Sequence, residues 1–245
     1  MSALRARILA HPGRVAANRW DSIRLVHTAL QWNEEFLVRY IDFSGPEGEL
    51  RAIETMRYED GRRPQMQQFW LFLFTFLANY TAMNSTLVDH VRGLLANYRG
   101  TPFAREEETR RKALGFAPVT QFVKDLRNYI SHISAPPLSF HMAQEQGGPV
   151  TFEAQLNADT LIRSGRMGAA SKQYLNGRDV IGILDAVREY AALRETYYSW
   201  LFEQFDVLRG DDVAAHDRLI EEQDAFYGRP SGPPSTSEAG EAGTP

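Results

Sequence analysis

What most restricts the fold of this chain is a helical rhythm of apolar residues sustained over three long stretches. Ile23, Val26, Leu30, Leu37 and Ile41 recur three and four positions apart, which predicts a helix over 14–43, closed by Ser44-Gly45-Pro46. The second stretch, 65–98, is the most hydrophobic part of the chain. From Phe69 to Leu77 it is apolar on nearly every side and is expected to be surrounded on most sides by protein. Its later half is one-sided, with Met83, Leu87, Val91, Leu94 and Tyr98 in step. The third stretch opens at Asp179 as a cap and carries Val180, Leu184, Val187, Ala191, Tyr198, Leu201, Phe205 and Leu208, interrupted only by Arg194. Stripes of this kind need neighbouring helices to cover them.

Shorter elements fill the spaces between. Leu50, Ile53 and Met56 predict an amphipathic helix over 47–58, and the turn at 61–64 with Arg62 and Arg63 reads as a solvated loop. Residues 103–114, with Arg-Glu-Glu-Glu-Thr-Arg-Arg-Lys at the centre, predict a surface helix laced by pairs four residues apart. Beyond Pro137 the period falls to two. Leu138, Phe140 and Met142, then Val150, Phe152, Ala154 and Leu156, alternate with polar residues on either side of 145–149, which predicts a β-hairpin. An isolated hairpin is marginal, so its apolar face is expected to pack on the helices. Asn157 caps a short turn, and Asp211-Asp212 after Gly210 predict a break and a last helix to about 227. The fold class that follows is mainly α, a helical bundle of long helices with an appended β-hairpin. Residues 1–13 read as a flexible lead-in, 14–227 as the bundle domain with the hairpin near 138–156, and 228–245, which has nothing hydrophobic to bury, as a disordered tail.

Composition narrows the chemistry. The formal charge of -4 excludes a protein that holds long nucleic acid chiefly by a basic surface, while leaving room for a small site formed by a few arginines. There are no cysteines, which removes disulfides, thiolate nucleophiles and cysteine-ligated zinc. The six histidines are scattered, none three or four residues from another, so no metal site and no cofactor is expected. Phosphate-binding glycine loops, nucleophile elbows and zinc-protease signatures do not occur. Arg5 and Arg7 interrupt any signal-like apolar run, and the run from Phe69 to Leu77 is too short to span a bilayer. The reading is a cytosolic protein without a membrane segment.

Polar residues placed for chemistry gather in 119–137. Val119, Phe122, Val123, Leu126, Ile130 and Ile133 give one apolar helix face, Pro118 suits the first turn, and Pro136-Pro137 stop the helix soon after His132. Asp125, Asn128 and His132 share a side, whereas Arg127 lies about 140° round from His132. Asn79 and Asn84 are polar groups of the second long helix available to line a cleft beside His132.

The sequence Arg127-Asn128-Tyr129-Ile130-Ser131-His132 resembles the R-polar-x3-H signature of the HEPN superfamily, helical-bundle proteins that include metal-independent ribonucleases. The resemblance implies Arg127 as the phosphate-binding and transition-state residue, Asn128 as the orienting group and His132 as the acid or base. It implies a homodimer in which two copies of the motif face one cleft, which would let residues that diverge on one helix converge between two. It further implies an RNA substrate, attack by the ribose 2′-hydroxyl, and a toxin–antitoxin or phage-defence setting with a restraining protein partner. The alternative is a non-catalytic HEPN-like binding or scaffolding module. Exposure separates the two expectations: a shared open cleft goes with catalysis, buried and internally bonded motif residues with the inert role.

Overall fold

A computed structural model describes residues 2–57, 64–115, 117–144 and 150–228. The turn at 61–63, the hairpin turn at 145–149 and the tail at 229–245 lie outside the described residues. The chain is mainly α with a small antiparallel sheet. In order it forms α1 (Ser2–Ala10), α2 (Pro12–Ile41), α3 (Gly45–Met56), α4 (Pro64–Leu95) with a tight turn at Ala96–Tyr98, α5 (Pro102–Gly115) and α6 (Pro118–His132). These are followed by β1 (Leu138–Gln144), β2 (Val150–Asn157), α7 (Ala158–Arg163), α8 (Ala169–Leu175), β3 (Val180–Gly182) and α9 (Ile183–Phe226). Contacts divide it into two units, Ser22–Phe202 and the pair Met1–Asp21 with Glu203–Pro245.

In the larger unit the long stripes become the core. Ile23, Leu30, Leu37 and Ile41 of α2, Leu73, Leu77 and Leu87 of α4, and Ile183, Val187 and Leu201 of α9 are buried. Burial of each such side chain contributes about 1.5–3 kcal/mol. Leu77 and Tyr80 meet Phe122, Val123 and Leu126 of α6, Leu156 of β2 and Ala186 and Val187 of α9 at one apolar junction. The enclosure expected on most sides of the first half of α4 is found only in part. Phe69, Leu73 and Leu77 are buried, but Leu71 and Phe72 are 61% and 41% exposed. Neighbouring helices cover only sectors of a helix's circumference, so a helix apolar on nearly every side keeps an uncovered face.

The hairpin forms in the register its alternation demands, with Leu138 opposite Leu156, Phe140 opposite Ala154 and Met142 opposite Phe152. Phe140 docks edge-on to Phe43, Phe69 and Trp70, at ring-centre distances of 5.4, 5.7 and 6.4 Å. A third strand, β3, pairs antiparallel with β2 through Leu156 and Ile181. The sequence reading places Val180 in the helix instead. Three residues are too few to show a period of two, and β3 exists because β2 offers it a free edge.

Arg194, the one break in the α9 stripe, is 2% exposed and donates to Glu34 Oε2 of α2 at 2.6 Å. Burial works against its charge, but the hydrogen bond and charge of Glu34 outweigh that and hold the guanidinium above its ordinary pKa. Nearby, His27 is buried against Tyr198 and Phe202, with Nε2 3.5 Å from Glu195. Its pKa falls below the ordinary 6.5 because burial penalises the imidazolium; Glu195 offsets this in part and Arg194 adds to it.

In the smaller unit, α1 is helical where the sequence reading expects a loose lead-in, and it buries Ile8. Pro12 begins α2 rather than ending a segment, as proline does at a first helical position. A Cβ on Gly13 would lie 2.0 Å from the Asp212 carbonyl oxygen, so the close approach of two backbones requires glycine there. Trp20 stacks on Phe205 at 4.1 Å. The break expected at Gly210 is absent, and α9 continues to Phe226. An interior glycine costs a helix about 1 kcal/mol, which does not interrupt one this long, and Arg209 bridges the site to Asp212 at 2.6 Å.

Two outcomes follow. Arg194→Ala leaves Glu34 without its buried partner and lowers unfolding stability by about 3–5 kcal/mol, whereas Arg194→Met with Glu34→Met recovers most of the loss in denaturant melts. For His27, the unfolded chain binds a proton that the folded chain does not. The stability it contributes is therefore complete above pH 6.5 and is lost as pH falls below that value. Thermal melting from about pH 7.5 down to about pH 5.5 is expected to fall less steeply in His27→Gln than in the wild type.

Candidate anion-binding cavity

Helix α6 forms where its pattern predicts. Pro118 occupies the first turn, the apolar face buries Val119, Phe122, Val123, Leu126 and Tyr129, and the helix ends at His132. Its polar residues then divide among three surroundings.

Asp125 turns toward α8. Its Oδ2 accepts from the Gly168 backbone N–H at 2.7 Å and from the buried Ser171 hydroxyl at 2.6 Å. It thus caps a short helix that has no capping side chain of its own. A Cβ on Gly168 would come within 3.2 Å of that oxygen.

Arg127 and Asn128 face a cavity of about 370 Å³ between α4, α5, α6 and α9. Arg127 Nη1 donates to Asn128 Oδ1 at 3.2 Å, while its Nε is buried without a hydrogen-bond partner. Thr120, about two turns before Arg127, also lines the cavity with its hydroxyl oxygen buried and unpartnered. Four cations reach the walls, Arg92, Arg111, Lys124 and Arg127, against one carboxylate, Asp89. Arg92 pairs with Asp89 at 3.1 Å and Arg111 with Glu107 at 3.2 Å. Lys124 and Arg127 have no carboxylate partner among the described residues, in a chain whose formal charge is -4. Unpaired cations beside incompletely bonded polar groups suit a bound anion.

The floor is aromatic. Tyr190, Tyr197 and Tyr198 of α9 line it, and Tyr197 donates its hydroxyl proton to Glu107 Oε1 at 2.7 Å. Burial, then the hydrogen bond and charge of Glu107, push the Tyr197 pKa far above its ordinary value, so this phenol holds its proton at neutral pH. Burial pushes Tyr190 up to about 12. Asn84 of α4 joins this lining, donating to the Tyr80 carbonyl at 2.9 Å, but not a cleft beside His132, and Asn79 is exposed outside the lining.

His132 does not join them. It stands exposed at the end of α6, outside the lining, and no described residue of the hairpin reaches the cavity. The structure thus brings Arg127 and Asn128 together and leaves His132 apart within one chain. Sequence reasoning missed Lys124 and Tyr190. Lys124 was findable, because it stands four residues before Asn128 and three before Arg127 on one helix face. The run Tyr197-Tyr198-Ser199-Trp200 reads from sequence as able to stack bases, but aromatics at helical spacing are more often core, and Tyr190 carries no further signal. Among the described residues no group of three or more metal-ligating side chains occurs.

Compared with protein families, curated proteins and solved structures, the chain matches none. One described helical run, Pro64–Tyr98, is long and apolar enough to cross a membrane by length and composition, and a third of its most apolar window is buried in the fold.

Asp125→Ala is expected to leave the Gly168 N–H and Ser171 hydroxyl unpaired and lower stability by about 1–3 kcal/mol in urea unfolding. Anion binding should be unchanged, because Asp125 lies outside the cavity lining.

Proposed function

We propose that this chain is a HEPN-like helical module that binds RNA by seating a backbone phosphate against Lys124 and Arg127. The observation that carries the reading is the pair of cations without carboxylate partners among the described residues, beside the buried Arg127 Nε, in a cavity whose remaining wall is polar, aromatic and aliphatic. A guanidinium presents planar, bidentate donors matched to phosphate, and stays charged at any working pH. The binding role fits the geometry of one chain better than the catalytic role. No imidazole among the described residues lines the cavity, and the Tyr197 phenol, bonded to Glu107, is unsuited to accept a proton from a ribose hydroxyl.

A second reading has one observation in its favour. His132 is exposed at the end of α6, with Ile133 43% exposed beside it, where another chain can reach. Two copies meeting there would bring one chain's His132 to the other's Arg127, giving a metal-independent endoribonuclease in a cytosolic toxin–antitoxin or phage-defence setting, restrained by a protein partner. His132 would then move the proton and Arg127 would stabilise charge on the phosphoryl oxygens.

Single-stranded RNA incubated with the protein in EDTA separates these. On the binding reading the RNA stays intact, Arg127→Ala and Lys124→Ala each weaken affinity by roughly tenfold or more, and each lowers the salt dependence by about one ion. His132→Ala binds as the wild type does. Cleavage that both Arg127→Ala and His132→Ala abolish would favour the nuclease. Absence of RNA binding by the wild type would remove both.

A further inference from the structure

A phosphate on Lys124 and Arg127 fills only part of the cavity. Lys124 is exposed at its rim and Arg127 is half-buried, whereas Asn84, Tyr190 and Tyr198 at the inner end are 5%, 6% and 3% exposed. The volume of about 370 Å³ falls within the range of about 300–1,000 Å³ that encloses small organic ligands, far more than the cations and a phosphate require. The inner end is not simply apolar. Asn84 Nδ2 donates to the Tyr80 carbonyl at 2.9 Å, but Asn84 Oδ1 is buried without a hydrogen-bond partner. The hydroxyls of Tyr190 and Tyr198 bond to no described residue. Burial raises both phenols above their ordinary pKa, Tyr190 to about 12, so each keeps a proton to donate. The groups left over are one amide acceptor, two phenol donors and the aromatic rings that carry them.

We propose that this inner end takes one unstacked base of the RNA strand whose phosphate Lys124 and Arg127 hold. The base site rests on the phosphate-binding reading and specifies which strand the cavity accepts. A nucleobase is a flat aromatic ring edged by both N–H donors and oxygen or nitrogen acceptors, the complement of the Asn84 acceptor and of the Tyr190 and Tyr198 donors. Its ring also gives aromatic side chains a surface that every base provides. Cations toward the rim and aromatic groups at the inner end follow the order of phosphate and base in a nucleotide. A base enters only after leaving its stack and its pairing partner, so the cavity favours single strands over duplex. All four bases carry an N–H on the edge used in pairing. Asn84 therefore discriminates little among them, and selection falls on strandedness rather than on sequence.

Binding of three probes to the wild-type chain tests the base site: a short single-stranded RNA, its duplex, and a ribose-phosphate chain of the same length and charge that lacks the bases. The single strand is expected to bind roughly tenfold or more tighter than the base-free chain and the duplex. Iodouridine placed in the strand should photocross-link to Tyr190, Tyr197 or Tyr198, the aromatic residues of the lining. Tyr198→Leu, with its helical content checked by circular dichroism, should weaken binding of the single strand and leave that of the base-free chain unchanged, a split that loss of the fold would not produce. Equal affinity for the strand and the base-free chain, both lost in Arg127→Ala, overturns the base site and leaves the phosphate-binding reading standing. A duplex held as tightly as the single strand, or cross-links confined to residues outside the cavity, also overturns the base site. If the wild type binds none of the three, both the base site and the phosphate-binding reading fall.

Discussion

The buried ion pair between Arg194 and Glu34 is the interaction on which the larger unit turns. Two charges withdrawn from water are tolerable only when they meet in good geometry, so this contact penalises any register of α2 against α9 that separates them. The neighbouring pairs agree with that register. Arg188 meets Asp42 at 2.7 Å on one side, and His27 approaches Glu195 at 3.5 Å on the other, as two antiparallel helices require. Tyr190, one turn before Arg194, has its ring 6.0 Å from the guanidinium. Once α9 is held this way, Tyr190, Tyr197 and Tyr198 come to the floor of the cavity. A charge that looks like a flaw in an apolar stripe therefore determines where the aromatic wall of the site stands.

Helix α6 shows how closely structural and functional roles can be interleaved. Its apolar face joins the bundle, Asp125 secures the start of α8, and Arg127 with Asn128 open onto the cavity, all within fifteen residues. Because these faces lie about 100° apart per residue, a residue's position in the motif does not by itself determine which surroundings it meets. Asp125 was grouped with Asn128 and His132 by the helical wheel, yet the structure gives the three different neighbours. Neighbouring helices occupy only sectors of the wheel, and α8 takes the sector where Asp125 lies.

Much of the architecture was legible in the residues. The three long helices, the proline that starts α6, the asparagine cap on α7 and the alternation of Leu138, Phe140 and Met142 against Phe152, Ala154 and Leu156 rest on local periods and local hydrogen bonds. The errors share a cause. Gly210 and Asp211-Asp212 read as punctuation, but a penalty near 1 kcal/mol is easily absorbed by a helix held elsewhere. Val180 read as helix, but β2 claimed it as a strand. Leu71 and Phe72 read as mostly surrounded, but the neighbouring elements leave their side of α4 open. Of the site, Arg127 and Asn128 were legible as a pair and Lys124 was findable beside them on α6; that the tyrosines of α9 meet them was not legible, because that meeting involves helices distant in the chain.

By itself the sequence determined which segments are helical, which face of each is apolar, and that the hairpin has one register, since those follow from spacing within a few residues of one another. Only the tertiary structure decided that Arg194 finds Glu34 across 160 residues, that Arg127 meets the tyrosines of α9, and that His132 remains outside the cavity. Those outcomes depend on which helices become neighbours and at what register, and that is set by burial and charge pairing summed over the whole core.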